Sequence, residues 1–319
     1  MLGIVGRHNA GVSVAAEFRS GFACVVGRPN TGKSTLINAL VGQKVAITSS
    51  RPQTTRHAIR GVVHRRNAQL VLIDTPGLHR PRTLLGQRLN DLVRDTWGEV
   101  DVVAFCTPAD EPVGRGDRFI ASSLSALTRT PVLAVATKID RVTPDRLLAH
   151  LSQVADLGAD TGLDWAEVVP VSAVTGEGMP VLERLLIDRL PEGPPFYPEG
   201  ELTDEPEETL VAELIREAAL EDLHDELPHS LAVVVDEMVP REDRPADRPL
   251  IDVHATVFVE RSSQKPIVVG RRGERIKRVG SAARTHIEAL LGTPVFLDLH
   301  VKVAPEWQRD PKQLRRLGF

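Results

Sequence analysis

The strongest constraint on the fold is a glycine-rich run that separates an apolar, strand-like segment from a helical one. The run reads GRPNTGKS from residue 27, which matches the pattern GxxxxGK[ST], and apolar residues 22–27 lead into it. Glycines allow the backbone N–H groups of such a loop to face a phosphate at the positive end of the next helix. We therefore predict a phosphate-binding loop formed by Gly27, Arg28, Pro29, Asn30, Thr31, Gly32, Lys33, Ser34 and Thr35.

A second motif, DTPG at residues 74–77, ends the apolar run 68–74. In a nucleotide site of this kind, Lys33 is expected to reach the β- and γ-phosphates, while Ser34 binds Mg²⁺ directly and Asp74 holds it through water. The backbone amide of Gly77 is expected to meet the γ-phosphate. We predict that the whole motif lines the nucleotide site, with the members Asp74, Thr75, Pro76 and Gly77.

The base is predicted from two strand ends further along the chain. Residues 137–140 read TKID after an apolar run, and Ser172 and Ala173 end the run 167–173. A carboxylate at Asp140 accepts hydrogen bonds from N1–H and the exocyclic amine of guanine, and adenine does not present that pair of donors. Lys138 is expected to lie along the ring, and a backbone N–H at 172–173 to contact guanine O6. Together with Thr137, these residues predict binding of GTP or GDP.

The residues around these motifs alternate between β-branched runs and helical segments as far as Leu190. The runs 22–27, 68–74, 101–106, 131–137 and 167–173 predict strands that are buried on both faces. Such alternation is typical of a mostly parallel, doubly wound α/β sheet. We predict one α/β domain over residues 21–190, preceded by a flexible tail over residues 1–20.

A different pattern follows this domain. Residues 191–209 contain five prolines and seven acidic residues, so we predict an interdomain linker that is too polar to pack. Residues 210–319 then predict a helix, a two-stranded hairpin, further helices and a last strand. One of those helices, over 272–291, is expected to be interrupted near Gly280. This second unit is a smaller α+β domain.

The net charge of −4 conceals a strong asymmetry between segments of the chain. Residues 199–260 carry 4 basic and 19 acidic side chains, whereas residues 261–319 carry 13 basic and 5 acidic ones. A basic C-terminal end favours a polyanionic partner. Within it, a GxxG loop precedes a helix, and such loops clamp the backbone of about four unpaired nucleotides. We predict RNA binding by Gly270, Arg271, Arg272, Gly273, Arg275 and Lys277.

The motifs GRPNTGKS, QTTRH (53–57), DTPGLH (74–79), TKID and SAVTGEG occur in the order seen in translation-factor-class GTPases. The stretches RPQTTRHAIRG and DTPGLHRPRTLLG resemble those of the Era GTPase family, and the resemblance runs from about Arg19 to the C-terminus. It implies a P-loop GTPase domain followed by a type II KH domain. It also implies that Thr54 or Thr55 is the switch threonine that closes on Mg²⁺, with Thr55 favoured.

The resemblance extends to function. It implies a switch protein that hydrolyses GTP with Lys33, Thr55 and Gly77 at the reacting phosphate, and that assists small ribosomal subunit assembly. The RNA partner implied is the 3′ end of small-subunit rRNA, on the small ribosomal subunit. Members of this family are associated with the inner face of the cell membrane, so peripheral attachment is also implied.

Three positions bear on catalysis. Thr137 stands where related GTPases carry asparagine, which is expected to weaken one polar tie between loops. Leu78 stands where Ras-like enzymes carry a water-orienting glutamine, so intrinsic hydrolysis is expected to be slow. Asn30 matches an asparagine that holds K⁺ beside the phosphates in related families, which makes K⁺ a candidate cofactor alongside Mg²⁺.

Other sequence features limit the remaining alternatives. Cys24 and Cys106 lie in apolar runs, which is typical of a reducing cytosol. No apolar run approaches the roughly 20 residues that span a bilayer, so we expect a cytoplasmic protein. The histidines lack metal-site spacing, so we expect no structural zinc. We also expect a monomer. A non-enzymatic RNA-binding assembly factor, in which the nucleotide only stabilises the fold, is the alternative function.

Overall fold

The computed structural model describes residues 18–48, 59–77, 83–221, 230–242, 244–245 and 248–317. In these ranges the chain forms a six-stranded sheet and a three-stranded sheet, each covered by helices. No helix in the described ranges is long and apolar enough to cross a membrane. Residues 1–17 of the predicted tail lie outside the described residues, and Arg19 and Ser20 already belong to the first strand.

The larger sheet has the spatial order β2-β3-β1-β4-β5-β6, and all neighbours are parallel except β2 and β3. This confirms the predicted mostly parallel sheet. The edge strand β2 was not predicted, because Gly61 and the charged side chains at its ends break the apolar pattern. The strands are β1 (Arg19–Gly27), β2 (Ile59–Arg65), β3 (Ala68–Asp74), β4 (Val102–Pro108), β5 (Val132–Thr137) and β6 (Trp165–Pro170).

Helices cover both faces of this sheet, and alternate residues of β1 face the two sides. Ala23 and Val25 join one core with α1 and α5, whereas Cys24 and Val26 join another core with α2, α3 and α4. The strand order reverses at β1, and ligands of doubly wound sheets bind at such a point, beyond the carboxyl ends of the strands. The helices are α1 (Lys33–Val41), α2 (Leu84–Trp97), α3 (Arg115–Leu124), α4 (Pro144–Thr161) and α5 (Met179–Ile187).

The second domain has the order helix, two strands, helix, GxxG loop, helix and strand, as predicted. Its sheet has the order β7-β8-β9, in which β7 and β8 are antiparallel and β8 and β9 are parallel. The elements are α6 (Glu207–Glu221), β7 (Ala232–Pro240), β8 (Ile251–Val259), α7 (Lys265–Val269), α8 (Glu274–Leu291), β9 (Val295–Val303) and α9 (Pro311–Arg316).

Helix α8 is continuous through Gly280, so the predicted interruption there is wrong. The helix buries Val279, Ala283 and Ile287 on one face against the domain core. Burial of these side chains offsets the cost of about 1 kcal/mol that glycine brings to a helix interior. Local propensity is therefore overridden by packing.

The segment predicted as an unpacked linker is packed against the larger sheet. The buried side chain of Gln69 accepts hydrogen bonds from the backbone N–H groups of Phe196 (2.6 Å) and Tyr197 (3.0 Å). The N–H of Val62 on edge strand β2 donates to the carbonyl of Leu202 at 2.8 Å. The prediction was wrong because hydrogen bonds from the Gln69 side chain and from Val62 satisfy the backbone of this polar segment, and local composition does not reveal such partners.

Candidate functional site

The described residues of the predicted nucleotide set lie on four loops at one edge of the larger sheet. These loops follow β1, β3, β5 and β6, which are mutually parallel, so their carboxyl ends lie on the same side. The structure therefore brings together motifs that are up to 146 positions apart in the chain, from Gly27 to Ala173. The predicted Thr54 and Thr55, and also Leu78, lie outside the described residues.

The loop after β1 surrounds a buried ammonium group. Lys33 is 6% exposed, and its Nζ donates to the carbonyl of Arg28 at 3.0 Å, as does the Thr31 hydroxyl at 3.0 Å. Burial lowers the pKa of Lys33, although the carboxylate of Asp74 acts in the opposite direction. An anionic phosphate beside the ammonium group would supply the compensating charge, so the loop fits a nucleotide phosphate.

Ser34 and Asp74 form the start of a cation site. The Ser34 hydroxyl donates to Asp74 Oδ2 at 2.7 Å, and Asp74 is fully buried at the end of β3. A hydroxyl and a carboxylate are hard oxygen ligands of the kind that Mg²⁺ prefers. The two residues predicted to hold Mg²⁺ from the described loops therefore lie in contact, and their chemistry fits that ion.

Gly77 packs directly on the phosphate loop. A Cβ at this position would lie 2.8 Å from the backbone nitrogen of Pro29, which no real side chain tolerates. Glycine is thus required here by the close approach of two backbones. Of the other motif members, Thr75 turns its hydroxyl toward β1, where it donates to the Val25 carbonyl at 2.9 Å.

The side chain of Ser172 orients Asp140, the carboxylate predicted to bind the base. The buried Ser172 hydroxyl donates to Asp140 Oδ1 at 2.6 Å. The sequence predicted only a backbone contact from this loop. The Lys138 ammonium group lies 3.6 Å from Asp110 Oδ1, which limits the positions that the side chain can occupy.

Thr137 makes a tie between the base motif and the phosphate loop. Its hydroxyl donates to the Thr31 carbonyl at 2.6 Å, and both residues are buried. The threonine hydroxyl thus supplies a short bond at the position where we expected a weaker connection than asparagine would give.

The GxxG loop joins α7 to α8 in the second domain. Gly270 has φ +77°, and a Cβ there would lie 2.7 Å from Cβ of Arg275, so only glycine is tolerated. Arg271 and Arg272 in the loop, and Lys277 near the start of α8, are exposed to solvent. Arg275 instead donates from Nη1 to the Ile267 carbonyl at 2.7 Å, so this predicted RNA-binding residue shapes the loop.

Comparisons with known proteins match two separate parts of the chain. A family model described as 50S ribosome-binding GTPase matches residues 22–138, and a KH domain model matches residues 226–308. GTPase Era of Streptomyces coelicolor is 66% identical over 94% of this chain and 95% of its own length. The chain belongs to the Era family of GTPases.

Two solved structures of Era proteins match 94% of the chain, across both domains. An Era variant of Aquifex aeolicus bound to GDP–AlF₄⁻ is 34% identical, with a TM-score of 0.88 over 94% of this chain and 99% of its own. Era in complex with MgGDPNP and nucleotides 1506–1542 of 16S ribosomal RNA is 35% identical, with the same TM-score and the same coverage. These matches confirm the predicted fold of both domains.

Within this family fold, Arg28 of the phosphate loop is directed toward helix α3. Its Nε donates to Asp117 Oδ1 at 2.8 Å, and its Nη1 lies 3.2 Å from Glu111 Oε2. Asp117 is fully buried and also accepts from the Gly114 N–H at 2.8 Å. The Arg28 side chain thus braces the phosphate loop from outside, and the predicted contact of this residue with the nucleotide is left to the backbone of the loop. Neither carboxylate belongs to a motif, so the sequence carried no signal for them.

We expect Asp117→Asn to weaken nucleotide binding and to destabilise the first domain. The substitution removes the charge that anchors Arg28, and a hydrogen bond to a charged group contributes about 1.5–3 kcal/mol. Fluorescent GDP titration and urea unfolding would measure both effects. The matched control is Asp160→Asn, whose exposed partner is Arg118 at 2.6 Å and whose effect on unfolding should stay below about 1 kcal/mol. Unchanged GDP affinity in Asp117→Asn would contradict the bracing role.

Proposed function

We propose that this chain is a GTP-binding and GTP-hydrolysing switch protein that binds the 3′ end of small-subunit rRNA through its KH domain and assists small-subunit assembly. The observation that carries the proposal is one site in which a buried lysine, a serine–aspartate pair and an oriented base-reading carboxylate converge. Whole-chain similarity to an Era protein solved with MgGDPNP and 16S rRNA nucleotides supports the RNA partner.

In the proposed reaction, water attacks the γ-phosphorus in line while the bond from phosphorus to the β-γ bridging oxygen breaks. Lys33 neutralises charge that develops on the transferring phosphoryl group, and the Gly77 N–H donates to a γ-phosphate oxygen. Mg²⁺, when held by Ser34 and Asp74, supplies further charge neutralisation. Thr55, or alternatively Thr54, completes the proposed metal and catalytic set. The products are GDP and phosphate.

Guanine selection is the first test, because it separates this function from ATP use. We expect Asp140→Asn to lower GDP affinity at least about 100-fold, since one donor pair of guanine loses its bidentate acceptor. Affinity for xanthosine diphosphate should rise, because an amide can donate to the extra carbonyl of xanthine. Competition titrations with a fluorescent nucleotide measure both, and the exposed Asp145→Asn on α4 is the control. An unchanged preference for guanine would show that Asp140 does not contact the base.

We also propose that Asn30 holds K⁺ beside the phosphates, which would supply positive charge where other GTPases use arginine. Asn30 is exposed on the phosphate loop with φ +64°, so Asn30→Gly removes the side chain without backbone strain. We expect turnover roughly 10-fold faster in KCl than in NaCl, and loss of that difference in Asn30→Gly. Asn67→Gly, in the turn after β2, is the control. Equal turnover in both salts would refute a K⁺ site.

RNA binding is proposed to depend on phosphate contacts at the GxxG loop. We expect Arg271→Ala and Arg272→Ala each to weaken binding of an oligonucleotide with the 3′-terminal small-subunit rRNA sequence. Each should also reduce the slope of log affinity against log salt by about 0.7. Arg284→Ala, exposed further along α8, is the matched control. If the slope of log affinity against log salt stays at the wild-type value in both variants, Arg271 and Arg272 do not contact RNA phosphates.

We infer a cytoplasmic, monomeric protein whose membrane attachment, where it occurs, is peripheral. This inference depends on family resemblance. Sedimentation with liposomes at low and high salt tests the attachment, because a peripheral electrostatic contact is released as salt rises.

A further inference from the structure

The loop that follows β4 carries no nucleotide motif, yet one of its side chains contacts the base motif. This side chain is Asp110, whose Oδ1 lies 3.6 Å from the Lys138 ammonium group. Its Oδ2 accepts from Nη1 of Arg141 at 3.2 Å. We call residues 109–111 the β4 loop. One carboxylate of this loop therefore contacts two cations close to Asp140, the carboxylate predicted to bind guanine.

The β4 loop is held to the base motif by its backbone as well. The N–H of Ala109 donates to the Thr137 carbonyl at 2.8 Å, and the Thr137 hydroxyl lies 3.4 Å from the carbonyl of Thr107, near the end of β4. The Thr107 hydroxyl lies 3.2 Å from Nε2 of His150, which is buried on α4. Buried and satisfied polar networks of this kind hold their members in one geometry. The backbone that carries Asp110 is therefore bonded on two sides.

Lys138 has an unusual backbone conformation for a residue with a side chain. Its φ is +59° and its ψ is +35°, in the left-handed region. This conformation is unfavourable outside glycine and persists only where surrounding contacts fix it. One such contact is the hydrogen bond that the Lys138 carbonyl accepts from the Arg141 N–H at 3.1 Å. The backbone thus fixes where the lysine side chain starts, and Asp110 limits where its ammonium group ends.

The two ion pairs of Asp110 differ in their exposure to water. Its Oδ1 is buried and has no hydrogen-bond partner among the described residues, so the Lys138 ammonium group is its electrostatic partner. The Lys138 side chain is 21% exposed, whereas the Arg141 side chain is 58% exposed. Solvent screens the exposed pair more strongly, and exposed pairs contribute little to stability. Asp110 therefore acts mainly on Lys138.

We propose that Asp110 is a positioning residue for the nucleotide base. Its carboxylate holds the Lys138 ammonium group, so that the aliphatic part of the lysine side chain stays in place along the guanine ring. A freely moving lysine would lose rotamer freedom when the nucleotide binds, whereas a lysine already held by Asp110 loses less. This inference rests on the proposed function, because it requires that guanine binds beside Lys138 and Asp140.

The test is a double-variant cycle on the full chain, in which the dissociation constant of fluorescent GDP is measured. We expect Asp110→Asn to lower GDP affinity about threefold to tenfold, the usual cost of immobilising one long side chain. In the Lys138→Met background the same substitution should change GDP affinity less than about twofold, because both substitutions remove one interaction. Arg141→Met is the matched control, since it removes the other cation bound by the same carboxylate and should keep wild-type affinity.

A second nucleotide separates positioning from damage to the base site. Inosine diphosphate lacks the exocyclic amine of guanine, so it offers Asp140 one donor where GDP offers two. A lysine along the ring contacts a surface that both nucleotides share. Asp110→Asn should therefore lower the affinity for both nucleotides by the same factor, whereas a distorted site would bring the two affinities closer together. Competition against fluorescent GDP measures both dissociation constants.

A loss of affinity that both nucleotides share, and that is absent from the Lys138→Met background, supports the positioning role. Unchanged affinity in Asp110→Asn, a loss that persists in the Lys138→Met background, or an equal loss in Arg141→Met overturns it. A changed ratio of the two affinities, or loss of folding in Asp110→Asn, also overturns it by assigning the carboxylate to the stability of the site. All of these results leave the proposed function intact, whereas absence of GDP binding by the wild-type chain would refute that function itself.

Discussion

The arrangement of this protein depends on a cation buried at the end of a parallel sheet. An ammonium group in the interior is unfavourable unless anionic or polar groups surround it. Around Lys33 the chain supplies the Arg28 carbonyl and the carboxylate of Asp74. A bound anion would compensate the rest of the ammonium charge. The doubly wound topology meets this condition, because parallel strands direct the loops after β1 and β3 to the same edge. A phosphate bound at this edge would therefore compensate the buried charge of Lys33.

The same edge also determines how the second domain is attached. Lys44 and Thr48, in the segment that follows α1, bind Glu217 of α6. Helix α2 contributes Leu85 and Leu89 to a cluster with Trp307 and Leu314 of the C-terminal region. The N–H of Leu85 donates to the Gln308 carbonyl at 3.1 Å, which adds a polar contact to this interface. Two elements that leave the nucleotide edge therefore both contact the second domain.

Much of this architecture could be predicted from residue order. Buried strands such as 131–137 are continuous apolar runs, and the motifs stand at their ends, so the sheet and four nucleotide loops followed from local patterns. Predictions failed where tertiary contacts override local composition. The predicted linker 191–209 is rich in proline and acids, yet its backbone is hydrogen-bonded to Val62 of β2 and to Gln69, and its last three residues begin α6. Strand β2 has no clean alternation, and Gly280 does not interrupt α8 because the neighbouring side chains are buried.

The chemistry of the sites could be predicted from the residues alone: a lysine and a serine in a glycine-rich loop, a carboxylate for the base, and cations beside a GxxG loop. These depend on residue type and short spacing. Which side chains support these groups, and which residues join the two domains, depends on the packing of distant elements. Ser172 meets Asp140 across 32 positions, Asp117 meets Arg28 across 89, and Glu217 meets Thr48 across 169. No local pattern encodes such pairs, because each contact exists only after separate elements have packed and excluded water between them.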